Sequence, residues 1–235
     1  MANMRKFNDM RDIGHLCAHY ERSVQPGHYG NPDIDQARLV DDGVNLAPDR
    51  GKQTDYIKRQ IAEVMDGRTL RKDAVRMCCW IVDAPSILPP EREPEFFGAT
   101  YDFLVERYGG KSGMGEDCVV SAYIHHSETT AHMHFAFLPV VERNGQRTFC
   151  AKEVVGRADL ASFHHDLGRY LEARGICKEQ DILNGKTQRD ASGRALSVKE
   201  MKRNRQRERE REQQRVNDRW TRTDEPTRDR ERGRW

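Results

Sequence analysis

Apolar positions recur along the chain at two different periods. In residues 12–22, DIGHLCAHYER, Ile13, Leu16, Cys17 and Tyr20 fall at helical spacing, with His15, His19 and Arg22 on a neighbouring stripe. The same spacing predicts helices over 54–66 (Tyr56, Ile57, Ile61, Val64, Met65) and 93–108 (Phe97, Tyr101, Leu104, Tyr108). A fourth helix runs from about 159 to 174, with Leu160, Phe163, Leu167, Tyr170 and Leu171 inward; Gly109-Gly110 and Gly175 supply stops. AVRMCCWIVDA (74–84), ended by Pro85, is a short apolar run that predicts a strand, as are CVVSAYIH (118–125) and HMHFAFLPVV (132–141). The turn between the last two is too short for a parallel crossover, so they pair antiparallel. A further short strand around 147–152 follows the Asn144-Gly145 turn. From Ser23 to Arg50 the periodicity fades into a loop with three prolines, and long loops in compact domains usually serve function. The pattern predicts an α+β fold, a central antiparallel β-sheet flanked by helices, in a globular domain of residues 1–195. Residues 196–235 form an Arg/Glu-rich tail, helical or disordered, without a heptad seam.

Charged residues make up 33% of the chain and apolar ones 36%, the balance of a water-soluble protein with a polar surface. No run of about 18 apolar residues occurs, so no membrane span is expected. The first residues, MANMRKFNDMRDIG, lack the apolar stretch of a signal peptide. Six scattered cysteines without a CxxC pair read as reduced thiols of a cytoplasmic protein, with Cys78 and Cys79 on opposite strand faces. The net charge of +2 is unevenly spread: residues 201–235 carry 13 Lys and Arg against 8 Asp and Glu, or +5, leaving −3 for the rest.

Four of the nine histidines lie within ten residues of YIHHSETTAHMHFAFLPV (123–140). His132 and His134, two apart on a strand, project to one face, and His125 on the preceding antiparallel strand comes alongside them. Three converging imidazoles form a divalent-metal site with coordination positions left for substrate. Manganese, magnesium, cobalt, nickel and zinc all remain open. Glu128, in the intervening turn, reaches the same point as a ligand, an orienting partner or a proton acceptor. His126 has the opposite parity and faces away. The HExxH helix signature is absent, which argues against a zincin, but other metal-dependent hydrolases and oxygenases fit these residues equally.

IHHSETTAHMHFAFLPV resembles the histidine motif of the MobV (Pre/Mob) plasmid mobilisation relaxases, endonucleases of the HUH type. Their usual pattern is H-x-D-E-x-T-P-H-x-H followed by an apolar strand. AHYER (18–22) resembles the family's early K-H-N-E-R-like helix, and Asn31-Pro32-Asp33-Ile34-Asp35 its N-x-D-I stretch. LRKDAVRMCCWIV (70–82) resembles its R-K-D-A-V strand entry; FFGATYDFLVERYG (96–109) and DLASFHHDLGRYLEARG (159–175) match its two following helices. The similarity spans roughly residues 1–190. Ser127 stands where aspartate is usual, and Ala131 where proline is usual.

The resemblance implies an HUH relaxase-like sheet and a nicking enzyme that cuts one DNA strand at a plasmid transfer origin. It implies a covalent 5′-phosphate adduct and a divalent metal, manganese foremost, held by His125, His132 and His134. It places the nucleophile at His19, with adjacent Tyr20 and His15 as rivals; helical geometry turns Tyr20 about 100° away, onto the apolar stripe. Arg22 would hold a phosphate, and Arg71 or Lys72 would lend a basic hand on the scissile one. Asn31, with His28 and Tyr29, sits in a loop that would cover the site and touch DNA. Implied partners are single-stranded or hairpin plasmid DNA at the origin, conjugative coupling machinery, and a second copy through the C-terminal region. Two rival activities use the same residues: a rolling-circle replication nickase, and a DNA-binding repressor that does not cleave.

Overall fold

The structure is a computed structural model that describes residues 2–23, 34–128 and 130–183, together with 200, 203, 204, 207 and 211. The chain divides into two units, Met1–Gly185 and Lys186–Trp235. In the second, Glu200, Arg203, Asn204, Arg207 and Arg211 are helical.

The first unit begins with β1 (Ala2–Phe7) and α1 (Met10–Tyr20), capped by the Asp9 carboxylate, which accepts from the amides of Arg11 and Asp12. A 3-10 turn (Gln36–Asp41) and the short β2 (Val44–Asn45) interrupt the segment that periodicity left as loop. Then come α2 (Gln53–Met65), β3 (Met77–Asp83), α3 (Glu93–Ser112), β4 (Val119–His125) and β5 (His132–Phe137). Here the structure corrects the long strand expected over 132–141. Pro139 cannot donate to a ladder, so β5 ends at Phe137 and the chain re-enters as β6 (Val140–Arg143), paired with β7 (Gln146–Phe149) in a separate hairpin. Asn144 and Gly145, at φ 51 and 74, make its turn, a conformation those two residue types tolerate best. The order closes with α4 (Ala151–Val154), α5 (Arg157–Ala173) and α6 (Glu179–Leu183).

The main sheet runs β1-β3-β5-β4-β2, every neighbouring pair antiparallel. β3, β4 and β5 are covered on both faces, which is why they read as continuous apolar runs rather than as alternation. On one face Cys78, Trp80, Phe135 and Phe137 pack with Phe96, Phe97 and Leu104 of α3 and Phe163 and Leu167 of α5. On the other, Met77, Cys79 and Ala136 pack with Ile13, Cys17 and Tyr20 of α1 and Tyr56, Ile57 and Val64 of α2. Each fully buried large apolar side chain contributes about 1.5–3 kcal/mol. The layers therefore lock α1 flat against the sheet. The six cysteines are free, with Cys78 and Cys79 facing opposite cores as expected. Leu160, expected inward, is exposed in the first turn of α5.

Candidate active site

The β4–β5 register sets His125 directly opposite His132, and His134 follows on the same face. Their ring centroids lie 5.4 Å (His125–His132), 4.7 Å (His125–His134) and 4.8 Å (His132–His134) apart. α1 crosses above this face and brings His19 to 5.4 Å from both His125 and His134. Glu128 completes the group, with Oε1 at 4.0 Å from Nε2 of both His19 and His132. The four histidines and the glutamate singled out in the sequence thus meet in one place.

Hydrogen bonding fixes where their lone pairs point. His125 Nε2 lies 2.9 Å from the Tyr20 carbonyl, which can only accept, so this nitrogen carries the proton and Nδ1 keeps a lone pair. His132 Nδ1 lies 2.9 Å from the Thr130 carbonyl, so by the same argument its lone pair is on Nε2. That nitrogen is 3.0 Å from Nε2 of His134. The buried Nδ1 atoms of His125 and His134 find no hydrogen-bond partner among the described residues. Buried polar atoms without partners are costly, and a cation in this pocket would take up the unmatched Nδ1 lone pair of His125. Two nitrogens each about 2.1 Å from one cation and at right angles would stand about 3 Å apart, the separation found between His132 and His134. The residues fit a divalent metal, in two overlapping sets of three that share His125: His19, His125 and His134, and His125, Glu128 and His132.

Their electrostatics agree. Burial pushes the His125 imidazolium down to about 3, and His134, buried beside His132 and His125, lies well below the usual histidine value. His19 is lowered by burial and by the Arg22 guanidinium, against the pull of Glu128. At neutral pH these three rings are uncharged, the state that binds a metal or attacks phosphorus. Tyr20 stacks on His134 at 4.5 Å but buries its phenol beside Cys79 and Cys17, and burial raises its pKa far above the usual tyrosine value. It is a core residue, as its place on the apolar stripe predicted. His15 is exposed one turn back on α1. His126 faces away, 3.4 Å from Glu93 and edge-on to Phe97.

Arg22 departs from the helical stripe assigned to it. α1 ends at Tyr20, and Arg22 takes a left-handed conformation (φ 50) two residues later. Among the described residues its guanidinium reaches Asp42, Ser127, Glu128 and His19: Nε donates to Asp42 at 2.7 Å, Nη2 to Ser127 at 3.1 Å and Glu128 at 3.0 Å, and Nη1 lies 3.3 Å from His19 Nδ1. Asp42 escaped the sequence reading. Its carboxylate is fully buried and accepts from the amides of His126 (2.6 Å) and Ser127 (2.9 Å) and from the Ser127 hydroxyl (2.5 Å). Burial alone would raise its pKa, but the bonds from Ser127, His126 and Arg22 outweigh that and hold it below the usual carboxylate value. The signal was faint: an acidic doublet, Asp41-Asp42, before a glycine in an aperiodic loop.

Arg71 and Lys72 are not brought to the cluster. Asp83, at the end of β3, is the residue paired with His132, so the segment before Met77 lies at the opposite end of the sheet, roughly 20 Å away along the strand. Arg71 there pairs with Asp73 on the surface, and Lys72 lines a groove with Asn8, Asp9 and Arg76. Of the basic residues singled out in the sequence, Arg22 is the one whose side chain lies at the cluster. Asn31, His28 and Tyr29 lie outside the described residues.

An imidazole cluster on the face of an antiparallel sheet, with a further imidazole presented by a crossing helix, defines a candidate metal-dependent nucleophilic centre. Residues 1–192 match the Mob_Pre family, plasmid recombination enzyme, and the chain belongs to that family. It is 28% identical over 198 residues to a plasmid recombination enzyme of Streptococcus agalactiae and 26% identical over 204 residues to one of Bacillus thuringiensis. These alignments cover 80% and 85% of this chain but only 37% and 42% of those proteins, so the chain spans well under half of their length. Among solved structures, it resembles the MobM relaxase domain (MOBV; Mob_Pre) bound to plasmid pMV158 oriT DNA, in a Mn-bound crystal structure at pH 6.8. That likeness has a TM-score of 0.68 at 29% identity and covers 86% of this chain and 97% of the other. A second Mn-bound crystal structure of that domain, at pH 4.6, gives a TM-score of 0.66 at 28% identity over 86% of this chain and 98% of the other. No helix among the described residues is long and apolar enough to cross a membrane.

Proposed function

We propose that this chain is a metal-dependent, site- and strand-specific DNA-nicking relaxase that acts at a plasmid transfer origin and forms a covalent 5′-phosphate adduct through His19. The observation that carries the reading is the meeting of His19 with His125, His132, His134 and Glu128 across α1, β4 and β5. The likeness to an oriT-bound, Mn-bound relaxase domain supports both the DNA and the metal. His125, His132 and His134 would hold a divalent cation, with manganese the first choice. When bound, it supplies a Lewis acid that offsets charge on the non-bridging phosphate oxygens.

The chain's own residues do the rest. Arg22, which can only donate, lies against His19 Nδ1, so the proton of the uncharged ring is on Nε2, and His19 attacks phosphorus through Nε2 as Glu128, which faces that nitrogen, takes up its proton. The P–N bond forms, the P–O3′ bond breaks, and the 3′ oxygen leaves with the electron pair and ends as 3′-OH with the proton that Glu128 took from the ring. Glu128 and Arg22 flank the His19 ring and govern which nitrogen bears the proton. Arg22 also offers positive charge to the phosphate as that charge builds up. The liberated 3′-OH can reverse the step, so rejoining needs no nucleotide cofactor. Arg71 and Lys72 are assigned to DNA contacts away from the scissile phosphate, where cations on the DNA backbone make binding salt-dependent, and Asn31 keeps its assignment to a DNA contact.

The test is supercoiled plasmid carrying the cognate origin, with and without manganese, beside His19→Ala. Nicked circles should form only with metal and intact His19, and the protein–DNA adduct should be labile in acid, as a phosphoramidate is. An acid-stable adduct removes His19 from the role. Specific binding with no nick under either metal condition favours the repressor reading, and nicking confined to a replication origin favours the rolling-circle one.

A further inference from the structure

One buried carboxylate beside the cluster is used by no step above. Asp42 enters from the 34–45 segment, far from the motif in sequence, and its two oxygens serve different partners. Oδ1 accepts the amides of His126 and Ser127, which anchors the turn leading out of β4. Oδ2 accepts Nε of Arg22 and the hydroxyl of Ser127. The guanidinium plane is thereby fixed from behind, with its other two nitrogens directed at Ser127, Glu128 and His19. Arg22 also sits in a left-handed conformation that a non-glycine residue holds only under constraint from its surroundings. Ser127 has no carboxylate of its own to offer Arg22, and Asp42 reaches the same spot from across the loop.

Taking the relaxase reading as its basis, we infer that Asp42 is a positioning residue for nicking, holding Arg22 against His19 and Glu128 with a carboxylate delivered from outside the histidine motif. The amide-anchoring half of Asp42 and the arginine-orienting half can be separated chemically. In Asp42→Asn the side-chain carbonyl still accepts the two amides, while the NH2 group sets a donor against Arg22 Nε–H. In Ser127→Asp a second carboxylate is forced against Asp42. In the double variant D42N/S127D, the carboxylate introduced at position 127 accepts from Arg22 and from the new side-chain amide at position 42. The negative charge is thus restored one step away from where it was removed.

The experiment measures single-turnover nicking at saturating oligonucleotide, DNA affinity and melting temperature for the full chain and these three variants. D42N should nick about 10- to 100-fold more slowly, the scale expected for a misplaced catalytic group, with a melting temperature lowered by the loss of the buried ion pair to Arg22 but the chain still folded at the assay temperature, and affinity within about threefold. The double variant should return to within about threefold of the parent rate. Nicking by D42N within about twofold of the parent, or a double variant no faster than D42N, overturns the inference. If the parent chain itself does not nick, the relaxase reading falls, and melting decides the network alone. Recovery in D42N/S127D of the melting temperature lost in S127D then upholds the hold of Asp42 on Arg22, and no recovery overturns it.

Discussion

A buried imidazole is a liability in acid, and His125 shows the sign of it. Its folded pKa is about 3 against about 6.5 for an unfolded histidine. Between those values the unfolded chain binds a proton that the folded chain does not, so stability rises with pH and falls as pH drops below about 6.5. His134 and His19, both lowered by burial, act in the same direction. Asp42 adds a loss of its own once pH falls through its unfolded value, because its carboxylate must be charged to hold its partners. The metal-free protein should therefore show a melting temperature that falls steadily from pH 7 to pH 4. His125→Gln, which keeps a donor for the Tyr20 carbonyl but carries no titratable ring, should flatten that slope. A melting temperature independent of pH over this range would mean that the rings are not buried as neutral groups.

The same cluster depends on elements held in register, and α1 is the element with most to lose. It carries His19, and Ile13, Cys17 and Tyr20 bind it to the sheet face that bears the other histidines. Ile13 is fully buried, so Ile13→Ala should cost about 2–5 kcal/mol and Ile13→Val about 0.5–1.5 kcal/mol, read as denaturant midpoints at constant slope. A cost under 1 kcal/mol for the alanine would mean that α1 is not locked in place. Elements like this one were legible in the sequence because a one-sided apolar face leaves a period. α1, α2, α3 and α5 appeared through it, and β3 through β5 appeared as runs covered on both sides. β1 was missed, since Asn3 and Arg5 stand exposed on an edge strand and its inward residues are only Ala2, Met4 and Phe7. The histidine cluster was legible because strand parity alone puts His132 and His134 on one face. The partnership of Asp42 with Arg22 was not, because it joins two loop positions with no period between them. Distance misled at Arg71 and Lys72: proximity in sequence to a core strand says nothing of which end of that strand meets the site.

On the scale of the whole chain, every residue assigned to catalysis and metal binding lies between His19 and His134, within the unit that ends at Gly185. The Arg/Glu-rich segment contributes none of them. Its charge is positive but diluted, 13 basic residues against 8 acidic ones over residues 201–235, so a phosphate approaching it meets neighbouring carboxylates as well as guanidinium groups. Non-specific DNA affinity follows the number of cations that displace counterions, and its salt dependence counts them. We expect a chain of residues 1–195 to fold independently, to nick an origin oligonucleotide at a rate within about threefold of the full chain, and to bind it within about fivefold at 150 mM salt. The slope of log affinity against log salt should decrease by fewer than about 5 in magnitude, because Glu and Asp in the tail cancel part of its reach. Loss of nicking on truncation, with melting temperature and DNA affinity both preserved, would show instead that the tail takes part in the chemical step and that the site assembled by α1, β4 and β5 is incomplete without it.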